Sequence, residues 1–109
     1  TTEINRKEGK IVFIADILAD NKVNGVVDRL LNAVIQESIN KGAAMISSMV
    51  MPNSVYKSAF RKKLFIKLPR ILMPQEIHFG AYSLDNGLSK EFLYDADIWH
   101  ISWGDTDLL

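Results

Sequence analysis

The chain has no cysteine among its 109 residues. That excludes disulfides, thiolate metal sites and a thiol nucleophile, and it leaves the redox compartment open. Proline is scarce: Pro52, Pro69 and Pro74 are the three present. No charge of one sign prevails, since thirteen Lys and Arg face thirteen Asp and Glu. No overall field therefore draws the chain to nucleic acid or to an anionic membrane, and neither is expected as a partner. Long apolar runs are missing as well. The longest, Ile11 to Ala19, is broken by Asp16 and falls far short of the ~20 residues of a membrane-spanning helix. His78 and His100 stand on separate segments with no second ligand at metal-like spacing, so no metal is expected. The sequence opens Thr1-Thr2, with neither Met nor a secretory-type segment. The expectation is a soluble, cytoplasmic chain excised from a longer one.

What is present suits one globular domain: 48% hydrophobic and 24% charged residues, enough to bury a real core. Residues 1–9 are polar, and Arg6-Lys7-Glu8-Gly9 reads as a turn before the first core strand. Residues 10–19 have apolar side chains on both faces, as in a strand covered on both sides. Asp20-Asn21-Lys22 breaks that run. Val23, Val26, Val27, Leu30, Leu31, Val34, Ile35 and Ile39 then follow helical spacing, with Asp28, Arg29, Asn32 and Gln36 opposite. Lys41-Gly42 predicts the stop. Residues 44–51 read as a second buried strand ended by Pro52, so 10–51 form a βαβ unit with parallel strands.

Asn53 can cap a second helix running to about Lys63, with Val55, Ala59, Phe60 and Leu64 as core contacts. Pro69 and Pro74 mark an irregular connection. Residues 77–84 read as a strand, Asp85-Asn86-Gly87 as a turn, and 89–94 as a short helical turn. Ile98 to Trp103 reads as the last strand, with Trp99, Ile101 and Trp103 on one face.

This order resembles the C-terminal half of the GNAT N-acetyltransferase fold. The helix-opening segment Lys22-Val23-Asn24-Gly25-Val26-Val27 is similar to the family's Q/R-x-x-G-x-G/A loop, with Val27 where the family has Gly or Ala. Asn53, Phe60 and Phe65 match an N-x-x-A-x-x-x-Y-x-x-x-G-F pattern, with Phe60 at the tyrosine and Leu64 at the glycine. Ser54-Val55-Tyr56 and the ending Trp99-His100-Ile101-Ser102-Trp103-Gly104-Asp105-Thr106-Asp107 look like one branch of the family.

The resemblance covers residues 10–109. It implies an α+β domain, a mixed sheet flanked by helices, lacking the family's first strands and acceptor-side helices. It also implies acetyl-CoA as co-substrate and an amine as acceptor, with Lys22, Asn24, Gly25, Val26 and Asn53 as cofactor-binding residues. A non-catalytic GNAT-like binding or dimerisation module is the alternative.

Asp16, a carboxylate inside an apolar strand, is either a general base whose pKa burial raises or a structural group bonded to a neighbour. Tyr56, one helical turn before Phe60, either replaces the missing acid or packs with its hydroxyl at the surface. Arg61-Lys62-Lys63 is either a solvated face or a contact for CoA phosphates. Loss of the earlier strands would bare an edge of the 10–19 strand unless residues 1–5 cover it, so a homodimer is expected.

Overall fold

The computed structural model describes residues 1–6, 9–20, 22–23, 25–72, 80–81, 83–84 and 87–106. Two compact units appear: Thr1–Phe65 with the chain from Ile101 onward, and Ile66–His100.

The first unit holds a three-stranded sheet in the order β1-β2-β3, with strands β1 (Thr2–Arg6), β2 (Gly9–Ile14) and β3 (Ala43–Ser48). β2 and β3 are parallel, joined by helix α1 (Val26–Asn40), so the expected βαβ unit is present with shorter strands. The architecture is α+β with a mixed sheet. The strand read over 10–19 ends at Ile14, and the one read over 44–51 ends at Ser48.

The leading residues, polar in sequence, do cover the edge of β2, as strand β1. It pairs antiparallel with β2, Thr2 opposite Phe13 and Arg6 opposite Gly9. It therefore occupies the β2 edge, which is the case in which no dimer along that edge is expected. Glu3 joins this strand to the rest: its carboxylate meets Lys41 at 2.6 Å and Lys10 at 3.6 Å, and Lys41 also meets Glu37 at 2.8 Å.

Gly9 fits a tight place. Its φ is 125°, and a Cβ there would stand 2.8 Å from the Cβ of Ala44. Ala44 is the extra residue of a register shift between β2 and β3, where Lys10 pairs with Ala43 and Ile11 with Met45.

The core lies between one face of the sheet and the helices. Ile14, Leu31, Ala59 and Phe60 form a buried cluster, Val27, Val34, Ile46, Tyr56 and Phe65 pack against it, and Val12 is buried as well. The apolar stripe of α1 is wider than the core beneath it, so Leu30 and Ile39 stay exposed. Gly42, with φ 67°, follows the helix where the sequence predicts its stop.

Helix α2 (Lys57–Lys62) is shorter than expected, and Asn53 does not cap it. Asn53 sits in an exposed turn, while Tyr56 holds the N-cap position. Val55 and Leu64, read as core contacts, are 65% and 85% exposed. For Leu64 the reason lies at the helix end. Leu64 takes φ 62°, its N–H donates to Arg61 O at 3.0 Å, and Phe65 N–H donates to Phe60 O at 3.1 Å. This Schellman closure turns Leu64 outward and folds Phe65 back onto Phe60.

The segment Ile98–Trp103 is not a strand. In the second unit, helix α3 (Lys90–Tyr94) is capped by Ser89, whose Oγ accepts from Phe92 N–H at 3.1 Å. A 3-10 turn at Ala96–Ile98 follows, with Asp95 accepting from Asp97 N–H at 2.9 Å. Trp99 Nε1–H donates to Leu93 O at 2.9 Å. In the first unit, Asp105 accepts from Ser102 N–H at 2.8 Å and from its hydroxyl at 3.0 Å, closing a 3-10 turn over Trp103–Asp105. The strand and turn expected at 77–87 lie largely outside the described residues. Among the described residues no helix is long and apolar enough to cross a membrane.

Candidate functional site

The chain leaves β2 at Ile14 and must reverse into α1. Asp20 makes the reversal: its Oδ1 accepts from Lys22 N–H at 2.9 Å, and its carbonyl accepts from Val23 N–H at 3.1 Å. Gly25 follows in the left-handed region, φ 76° and ψ 3°, as the N-cap of α1. A side chain would be strained there. A Cβ at this position would meet nothing within 4 Å, so the space beside it is open. Arg29 N–H donates to Gly25 O at 3.1 Å. The first-turn amides and the positive end of the helix dipole give this end the physics of an anion site. Asp28 in the same turn carries the opposite sign to that needed for an anion.

The expected cofactor-binding residues divide accordingly. Lys22 and Gly25 are exposed at the mouth of this turn, and Val26 is half-buried as the first helical residue. Val27 packs against the core cluster. Asn24 lies outside the described residues. Asn53 belongs to the turn before α2 and not to this loop.

Asp16 contradicts the premise of its expected role. It lies two residues past the end of β2 and is exposed, and its Oδ1 accepts from Ile17 N–H at 2.7 Å. Its carboxylate is therefore not inside a covered strand. Tyr56 is half-buried against the core, and its hydroxyl donates to Ala19 O at 3.2 Å. The structure thus brings Tyr56 to the segment leaving β2, with its proton engaged by a backbone carbonyl. Phe60 is a core residue, 6% exposed, with its ring edge-on to Phe65.

The segment leaving β2 has a second neighbour that the sequence did not reveal. Gly104 N–H donates to Ala15 O at 2.8 Å, and Trp103 stacks edge-on with Phe13 at 5.7 Å. Trp103 Nε1 is buried and has no hydrogen-bond partner among the described residues. Trp103 and Gly104 therefore brace the end of β2 and the residue that follows it.

The Glu3 carboxyl is held below its ordinary range, first by the hydrogen bond from Lys41. The Lys41 ammonium is pushed up, first by Glu3 and then by Glu37. His100 is exposed, and His78 lies outside the described residues. Among the described residues no three His, Cys, Asp or Glu side chains gather as metal ligands would. Comparison with known proteins finds no family model, no curated protein and no solved structure that matches this chain.

Proposed function

We propose that this chain is the cofactor-side half of a GNAT-type N-acyltransferase domain, binding acetyl-CoA at the turn between β2 and α1 in a cytoplasmic enzyme. The observation that carries this reading is Gly25, in left-handed conformation with open space beside it, at the start of a helix that joins two parallel strands. Backbone amides there would hold the pyrophosphate, with Lys22 adding charge. A second feature supports it. The resemblance puts glycine-phenylalanine at positions 64 and 65, and here Leu64 adopts the backbone that glycine favours, with φ 62°.

In the transfer itself the amine nitrogen bonds to the acyl carbon as the carbon–sulfur bond breaks. The amine loses a proton, and the CoA thiolate takes one. Asp16 and Tyr56 are the candidates for these proton transfers, the first exposed and the second with its hydroxyl donating to Ala19 O. The contribution of the residues at the turn between β2 and α1 is to bind and orient the cofactor.

The alternative, a non-catalytic module that kept the fold for binding, is favoured by the burial of Phe60 in the core at the position of the usual acid. Thermal unfolding with and without acetyl-CoA separates the two. Cofactor at a hundredfold excess over its Kd stabilises a binding-competent fold by about 2.7 kcal/mol, a shift of many degrees in a domain of this size. An unchanged Tm at millimolar acetyl-CoA would leave the non-catalytic module standing.

A further inference from the structure

The charge balance of the whole chain hides a local imbalance. Between Lys57 and Arg70 stand six of the thirteen basic residues, Lys57, Arg61, Lys62, Lys63, Lys67 and Arg70, and none of the thirteen acidic ones. The remainder of the chain is accordingly net acidic. All six are at least partly exposed. Interleaved with them are aliphatic side chains turned to solvent: Leu64 is 85% exposed, Ile66 89% and Ile71 90%.

The exposure of Leu64 has a structural cause. The closure that folds Phe65 onto Phe60 leaves Leu64 in the left-handed position, pointing away from the core. From Phe65 the chain passes directly into Ile66 and Lys67, so the pattern is continuous along the backbone and needs no fixed arrangement of the two units.

From this pattern we infer that the stretch Lys57–Ile71 binds the surface of an anionic lipid bilayer. Two requirements meet in one segment. The cations need a partially dehydrated surface of negative charge, and the aliphatic tips need an apolar phase next to it. A phosphate-bearing bilayer interface offers both: headgroups for the ammonium and guanidinium ends, and the acyl boundary for Leu64, Ile66 and Ile71. A nucleic-acid duplex meets the charge but gives three exposed aliphatic side chains nothing to enter. The contact is peripheral, distinct from a membrane span and from the turn at Gly25.

Co-sedimentation of the full chain with vesicles tests this. Binding is expected to phosphatidylcholine vesicles doped with phosphatidylserine, with little to phosphatidylcholine alone, and it should weaken as salt is raised. Lys62→Gln should lower partitioning about fivefold, and Arg61→Gln with Lys62→Gln about thirtyfold. Ile66→Asn with Ile71→Asn should weaken binding at every salt concentration. All four positions are exposed, and circular dichroism checks that each variant remains folded. Failure to bind the phosphatidylserine vesicles would overturn the inference. So would equal binding to both vesicle types, indifference to the glutamine substitutions, or binding to duplex DNA with none to vesicles.

Discussion

Phe65 closes helix α2 against Phe60: its N–H donates to the Phe60 carbonyl at 3.1 Å, and the two rings meet edge-on at 5.0 Å. A backbone bond and an apolar contact between the same two residues define a helix end of the Schellman type. Between them Leu64 bears the cost of the left-handed conformation, roughly 1 kcal/mol or more for a side chain with a Cβ.

Leu64→Gly is therefore expected to stabilise the chain. Relief of the backbone strain, about 1–2 kcal/mol, exceeds the extra unfolded-state entropy of glycine, about 0.5–1 kcal/mol. Leu64 is 85% exposed and contributes little burial to offset this. Urea denaturation should show a higher midpoint. A lower midpoint would mean that the helix does not end as described.

Phe60→Tyr places the residue of the family pattern at its position, yet it should destabilise. The ring is buried, and a phenolic hydroxyl added there needs a partner or costs about 1–3 kcal/mol. A fall in Tm with no gain in acetyl transfer is expected. A variant of undiminished stability that turned over acetyl-CoA would contradict the assignment of Phe60 to the core.

These two residues show what the sequence could and could not convey. Helix α1 was legible because seven apolar residues, from Val26 to Ile39, keep its period and Gly42 marks its end. The parallel pair β2 and β3 followed from the apolar runs on either side. β1 was not, because Thr-Glu-Ile-Asn-Arg reads as polar, and Glu3 meets Lys41 across 38 positions with no local signal. Trp99, Ile101 and Trp103 alternate as a strand would, but Asp105 reaches back to Ser102 and bends the chain into a turn. Asp16 looked buried because apolar residues flank it, whereas the strand ends two residues earlier. Periodicity reports which residues prefer burial, and side-chain hydrogen bonds decide where the ladder stops.

The Glu3–Lys41 contact should make stability depend on pH at both extremes. The Glu3 carboxyl is held low, so its contribution is present above the ordinary carboxylate pKa and is lost as pH falls through the lowered value. Lys41 is held high, so its contribution is present below the ordinary lysine pKa and is lost as pH rises through the raised one. Glu3→Gln should flatten the acid limb of a Tm-against-pH curve and reduce its sensitivity to salt. An acid limb as steep as that of the parent would mean the pair does not hold β1 in solution.

Gly9→Ala should lower stability by roughly 1 kcal/mol or more, because φ 125° disfavours a side chain and the new Cβ would crowd Ala44. Thermal denaturation gives the loss. A neutral substitution would mean that the register shift between β2 and β3 is not as described.

The most direct measurement of the central claim is an amide chemical-shift titration of the full chain with acetyl-CoA. Saturable shifts are expected at Lys22, Val23, Gly25, Val26 and Val27, weakened by Lys22→Ala. Amides unmoved at this turn, at a concentration where acetyl-CoA is in millimolar excess, would contradict it.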